Sequence, residues 1–239
     1  MNSHNSSENI DPRETEHFSQ LAAGWWDPLG ESRALHLINP VRLGYLRERV
    51  GISDRDVLDV GCGAGLLSEG MAAEGARVSA IDASEDVIRV ARLHLHESNL
   101  SVDYQRSTAE QWSTAHADEY GLVTCLELIE HVPNPASLVA ACARMVRPGG
   151  HLVMSTLNRT TRSWLQAVVG AEYLLGLIPR GTHDYRKFIR PSELEAWARE
   201  NALQLQDLRG LHFNPLNHHV TLGSSVAVNY LAHFINPND

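Results

Sequence analysis

Apolar and polar positions run along the chain in two alternating periods. Val57, Leu58 and Val60 make a short apolar, β-branched run followed at once by turn residues, the pattern of a buried strand over 57–60. Gly61, Gly63 and Gly65 follow, and from Leu66 the period becomes helical, with Leu67 and Met71 four residues apart. The same switch recurs downstream. A second strand over 76–82 ends in Asp82, and Ser84 caps a helix through Val87, Ile88, Ala91 and Leu95. A short strand over 101–105 and a fourth over 122–126 come next. Asn134-Pro135 opens a helix through Leu138, Cys142 and Met145, and Arg147-Pro148-Gly149-Gly150 turns into a fifth strand over 151–156. Four βα units before that strand predict an α/β fold, a mostly parallel sheet with helices on both faces. A helix over 191–201 and strands near 203–213 and 225–234 complete the pattern.

The N-terminal region is different. Residues 1–12 are polar and read as a disordered tail. A helix is expected over 17–27, ending in Trp25-Trp26, with one indole on the core and the other on a pocket. Asn39-Pro40 reads as the cap and first residue of a helix that carries Arg42. Residues 13–239 then form one domain, with an N-terminal helical extension and an apolar lid insert at about 160–190.

Charge and cysteine content narrow the function classes. A net charge of -9 argues against a nucleic-acid partner, which needs a basic face. Cys62, Cys125 and Cys142 lack metal-ligand spacing and fit reduced thiols in a cytosol. No run of about 20 apolar residues is present to span a bilayer.

A strand, a glycine loop and a helix N-terminus together form a nucleotide cradle. The dinucleotide fingerprint requires glycine at position 66, which is Leu66 here. The loop reads G-x-G-x-G, with Asp59 two places before it, and this form resembles motif I of the Rossmann-like S-adenosylmethionine-dependent methyltransferases. That resemblance implies that Asp59 lies near the methionine part of the cofactor and that Gly61 and Gly63 pass beneath it. It also implies that residues 107–112 approach the adenine. Asp82 stands 21 residues after Gly61, the spacing of a carboxylate that accepts hydrogen bonds from ribose hydroxyls, although it also suits a helix cap.

Glu127, Glu130 and His131 stand at i, i+3 and i+4 beyond the fourth strand, on one side of a helical turn. Two uses are open: a divalent-metal site of two carboxylates and an imidazole, or a general base with supporting acids. The stretch from Ser163 to Pro179 is apolar nearly all round a helix. Arg159, Arg162, Arg180, Arg186, Lys187 and Arg190 flank it, against Glu172 and Asp184. That suits either an interfacial lid on anionic lipid or a buried cover over the site. His183 follows the insert and could serve as a base or cap a turn.

Several segments go beyond the generic cofactor fold. Trp25-Trp26-Asp27, the stretch from His36 to Tyr45, Leu58 to Gly65, Glu127 to Pro133, Ser155 to Arg159 and Gly181 to Asp184 closely resemble the ubiquinone-biosynthesis O-methyltransferases. The likeness runs from about residue 15 to the C-terminus. It implies a seven-stranded class I methyltransferase sheet and cofactor contacts at Arg42, Gly61, Asp82 and Leu128. It further implies a divalent metal, Mg²⁺, at Glu127, Glu130 and His131, with His131 or His183 available as base. The implied substrates are 2-polyprenyl-6-hydroxyphenol and 3-demethylubiquinol, and the implied setting is cytoplasmic, peripheral to the inner membrane, with an anionic lipid surface and a ubiquinone-biosynthesis complex as partners. Two other readings stand beside it: an O-methyltransferase for a soluble catechol or small phenol, and a non-catalytic cofactor-binding regulatory subunit.

Overall fold

In a computed structural model, residues 9–163, 185–214 and 217–237 are described. Eight strands form one sheet in the order β3-β2-β1-β4-β5-β8-β6-β7. β1 (Asp56–Val60), β2 (Arg77–Asp82), β3 (Val102–Arg106), β4 (Tyr120–Leu126) and β5 (Val146–Leu157) run parallel to one another. β6 (Gln204–Asn214), β7 (His219–Gly223) and β8 (Asn229–Ile235) are added antiparallel, with β8 wedged between β5 and β6. Every residue of β4 is buried, as expected of a central strand covered on both faces.

The helices are α1 (Pro12–Leu21), α2 (Arg33–Arg49), α3 (Leu66–Ala73), α4 (Glu85–Ser98), α5 (Ala109–Trp112), α6 (Pro135–Met145), the single turn α7 (Thr161–Ser163) and α8 (Pro191–Glu200). Apolar side chains of α6 and α8 pack on one face of the sheet, and those of α2, α3 and α4 on the other. Ser84 and Asn134 cap α4 and α6 as the sequence predicts.

Several features differ from the sequence reading; the first helix runs over Pro12–Leu21 rather than 17–27, which leaves Trp25-Trp26 beyond its end. α2 begins at Arg33, so Asn39-Pro40 lies inside the helix. The Asn39 amide donates instead to the Leu66 carbonyl at 3.0 Å, which ties α2 to the glycine loop. Residues 9–12 are not a free tail. The Asn9 amide donates to Glu110 and to the Asn134 carbonyl, and Asp11 caps α1 ahead of Pro12. The sheet gains an eighth strand, β7, at its edge; its apolar face is only Val220 and Leu222 between exposed His219 and Thr221, an alternation too short to stand out in the sequence. Most of the apolar insert, together with Arg180 and His183, lies outside the described residues.

The sheet interior also carries a pH sensor of stability. His233 is buried on β8, and its Nε2 stands 3.0 Å from Nδ1 of His151 on β5. Burial, then the charge of a protonated His151, pushes the His233 pKa down to about 4, with Arg49 adding and Asp207 opposing; burial and Arg55 lower His151 as well. The unfolded chain therefore takes up a proton at about pH 6.5 that the folded chain refuses until about pH 4. Stability should be fully present above pH 6.5 and fall by about 3 kcal/mol on descending to pH 4. Urea midpoints across that window test this, and His233→Gln should flatten the slope.

Candidate active site

The strand ends of β1, β2 and β4 open into one cavity of about 790 Å³, walled by α1, α2 and the β6–β7 hairpin. Its cofactor half is built by the glycine loop. The N–H groups of Gly61 and Cys62 both donate to the Ile81 carbonyl, at 2.8 and 3.0 Å, which folds the loop against the end of β2. Gly61 and Gly63 hold φ of +70° and +55°, a left-handed region that glycine enters without steric cost. A Cβ at Gly61 would strike Leu128, and one at Gly63 would strike the Trp25 indole.

The two tryptophans clamp this loop from outside the sheet. Trp25 is buried and lines the cavity. Trp26 donates its indole N–H to the Ala64 carbonyl at 2.9 Å and stacks on His94, with ring centroids 3.4 Å apart. The pocket-facing indole is thus the buried one.

Asp82 reaches the cavity at the end of β2. Its Oδ2 accepts from the Gly63 N–H at 3.1 Å and its Oδ1 from the Ser84 N–H at 2.9 Å. Burial raises its pKa against those backbone donors. It is both a cap and a cavity residue, since a carboxylate with about four lone-pair sites can serve a diol as well. Asp59 is different. Ser68 and Thr124 hydroxyls donate to its two oxygens at 2.6 and 2.7 Å, and burial pushes its pKa up to about 6. It lines the cavity, and its bonds to Ser68 and Thr124 pin α3 and β4 to β1.

Arg42 is buried on α2. Its Nη2 donates to Glu127 Oε1 at 2.6 Å and lies 3.4 Å from Ser155 Oγ. Its Nε has no partner among the described residues. A buried guanidinium with an open donor on the cavity wall fits the carboxylate of a bound amino-acid moiety.

On the acceptor side, Glu127 holds φ of +54°, a left-handed conformation rare for a residue with a Cβ. Its carboxylate accepts from Arg42, from Ser155 Oγ at 2.6 Å and from the Asn229 amide at 3.1 and 3.2 Å. Glu130 is buried and accepts from Thr156 Oγ1 at 2.8 Å; burial, then the Glu127 charge, raises its pKa. His131 closes the 3₁₀ turn Ile129–His131, with Nδ1 3.0 Å from Glu14 Oε2 and the Phe18 ring edge-on at 5.1 Å. Lys187 donates to Glu14 Oε1 at 2.7 Å and to Asp11 at 3.3 Å. The bond to His131, opposed by burial and aided by Lys187, drives the Glu14 pKa down to about 2. Burial works to lower the His131 pKa, but the Glu14 bond and the charges of Glu130, Glu14 and Glu127 outweigh it and raise it.

Glu127, Glu130 and His131 therefore do not converge as the i, i+3, i+4 spacing implied. The left-handed residue and the tight turn send each side chain to a different partner. Among the described residues no group of three or more His, Cys, Asp and Glu side chains could hold a metal ion. Glu14, Phe18, Ser155, Thr156 and Asn229 complete this half of the site, and sequence reasoning did not assign them. They come from α1, β5 and β8, far apart in sequence; Ser155 and Thr156 open one of the family-like segments, but no local signal gave them a role in the site.

A methyltransferase-domain family model matches residues 33–208. The ubiquinone biosynthesis O-methyltransferase of Aromatoleum aromaticum is 53% identical over 225 residues, 94% of this chain and 96% of the relative. That of Thiobacillus denitrificans is 54% identical over 223 residues, 93% and 96% of the two chains. The chain belongs to the ubiquinone biosynthesis O-methyltransferase family. Like the family, it is an S-adenosylmethionine-dependent methyltransferase, and the glycine loop, Asp82 and the open Arg42 donor fit that cofactor. The fold also matches the magnesium protoporphyrin IX methyltransferase of Synechocystis, solved with bound SAH, at a TM-score of 0.69 and 15% identity, covering 93% of this chain and 95% of that one. Between this chain and that structure the likeness is one of fold alone.

Proposed function

We propose that the chain methylates a phenolic hydroxyl of the polyprenylated ubiquinone precursors 2-polyprenyl-6-hydroxyphenol and 3-demethylubiquinol. The observation that carries this reading is the Glu14–His131 pair, which lines the same cavity as the glycine cradle. When bound, S-adenosylmethionine supplies a methyl group already activated on a sulfonium. The protein's tasks are to align the acceptor oxygen with that methyl and to take its proton. A phenol of pKa about 10 is only about 0.1% ionised at pH 7, a deficit of roughly 4 kcal/mol. With Glu14 a carboxylate, Nδ1 of a neutral His131 must be the donor in their bond, which leaves Nε2 to accept the phenolic proton. Nε2 would take the phenolic proton as the oxygen bonded to the methyl that the bound cofactor would supply, whose bond to sulfur would break to leave S-adenosylhomocysteine. Arg42 and Asp82 hold the cofactor end of the cavity.

No step is derived through a divalent metal, because Glu127, Glu130 and His131 would each have to leave a protein partner to bind one. Transfer of labelled methyl to a short-chain demethylubiquinol is expected, and its absence would demote this acceptor in favour of a soluble phenol. The same assay in EDTA separates the two uses of the turn. Persistent transfer leaves the proton with His131, whereas loss reversed by Mg²⁺ would mean that the three side chains rearrange around a metal.

The acceptor's tail and the basic flanks of the insert support a peripheral membrane setting. Among the described residues no helix is long and apolar enough to cross a membrane. Two flank residues are already engaged: Arg159 binds Glu193 and the Phe188 carbonyl, and Lys187 binds Asp11 and Glu14. Flotation with phosphatidylglycerol vesicles is expected to carry the protein upward, and charge reversal at Arg162 and Arg180 to release it. Equal flotation of that variant, or none by the wild type, counts against lipid docking through these positions.

A further inference from the structure

The cavity is longer than its cofactor cradle. It reaches from Asp82 at the end of β2 to Val220 on β7. Those strands stand six places apart in the sheet, roughly 29 Å along its curved surface. The cradle takes up the β1–β2 end, and the Glu127–His131 turn lies beyond β4. What remains, between α2 and the β6–β7 hairpin, has an apolar lining.

On α2 the lining residues Leu35, Ile38 and Arg42 repeat at i, i+3 and i+7, which puts them along one helix face. Arg42 is the inner end, bonded to Glu127. Leu35 lies about 10 Å further out along the helix axis. Facing them are Leu211, which is buried, and Phe213, which is 36% exposed on β6, with Val220 on β7 and Val228 before β8. None of these six side chains carries a hydrogen-bonding group. The hairpin is held to α2 at its outer end, where Arg33 Nη2 stands 3.3 Å from Nδ1 of His218. Polar residues border this wall: His212 has its Nε2 on the Ser225 carbonyl at 2.7 Å, and Ser32, Ser225 and Asn229 also line the cavity.

We propose that this passage is the subsite for the isoprenoid tail of the acceptor. The tail leaves the head group near Glu127 and His131, follows Ile38 and Leu35 on one side and Leu211 and Val228 on the other, and exits past Val220 and Phe213. This inference rests on the polyprenylated acceptor proposed above. A linear apolar chain is the occupant that matches a long row of apolar side chains, because each methylene it buries there leaves water. A small catechol would fill the head-group end and leave the rest empty. Phe213, exposed at the outer end, marks where the remainder of a long tail passes into lipid.

The test compares kcat/KM for a farnesyl-tailed acceptor with that for the same head group carrying a methyl group. Leu35→Gln and Phe213→Ser are expected to lower the ratio of the two values roughly tenfold each, the scale of one or two methylenes in an apolar pocket. An unchanged ratio in both variants would overturn the subsite. A second measurement does not depend on turnover. A farnesyl-tailed head group with a diazirine at the tail end is photolysed on the protein saturated with S-adenosylhomocysteine, and the labelled peptides are mapped. Label in peptides containing Leu35–Ile38 and Leu211–Val220 supports the passage, and label confined to other surfaces overturns it. A wild type that methylates neither acceptor would remove the proposed reaction, while the label still decides the groove.

Discussion

His131→Asn is expected to lower kcat for a phenolic acceptor by about 10²- to 10⁴-fold, the usual contribution of a positioned general base, with S-adenosylhomocysteine still bound. The size follows from the chemistry of the acceptor. A phenol is almost wholly protonated at neutral pH, and its neutral oxygen is a poor nucleophile toward even an activated methyl. The structure gives His131 the form of a base: Nδ1 is bonded to a carboxylate held ionised by His131 and Lys187, so one tautomer is selected. Glu14 has a separable effect. It helps to raise the His131 pKa, so Glu14→Gln should move the acid limb of the kcat/KM profile to lower pH while lowering the plateau. The sign is fixed, because activity grows as the imidazole loses its proton and the variant loses it earlier. An unmoved limb in Glu14→Gln, or full activity in His131→Asn, would take the proton away from this pair.

The second large effect is on stability. Glu127→Ala should cost about 3–5 kcal/mol in urea unfolding, as when one partner of a buried ion pair is removed. Arg42 has only 6% of its side chain exposed and would be left charged without its carboxylate. Ser155 and Asn229 would lose their acceptor too. The backbone at 127 would keep its left-handed φ, its N–H still bonded to the Ser155 carbonyl at 2.9 Å, but without the side-chain contacts that brace it. Glu127→Gln retains an acceptor oxygen for Ser155 and Arg42, and should lose much less. Equal stability of the alanine variant and the wild type would mean that the Arg42 charge finds water or another partner, and that Glu127 is not the keystone of this corner.

These two predictions divide along the line between local and distant information. The glycine loop, Asp82 at its strand end, the Ser84 and Asn134 caps and the buried β1 were legible because each depends on neighbours within a few residues. A left-handed glycine, a helix cap or a strand buried on both faces has a signature written in consecutive positions. Asp59 was legible as a residue, but its partners Ser68 and Thr124 were not, because they arrive from α3 and β4. The Glu127, Glu130 and His131 cluster misled for a similar reason. Regular helical spacing presumes helical dihedrals, and the φ of +54° at Glu127 and the 3₁₀ turn after it break that presumption.

By itself the sequence determined the βα alternation, the cofactor cradle and, through motifs outside the cradle, the family. Each of these follows from residue type and short-range order. Only the tertiary structure decided which groups face each other across the cavity. It set Glu14 from α1 against His131, Asn229 from β8 against Glu127, and the β6–β7 hairpin opposite α2. Hydrogen bonds and ion pairs between residues a hundred positions apart depend on how the sheet is ordered and where α1 packs. No periodicity along the chain encodes those distances.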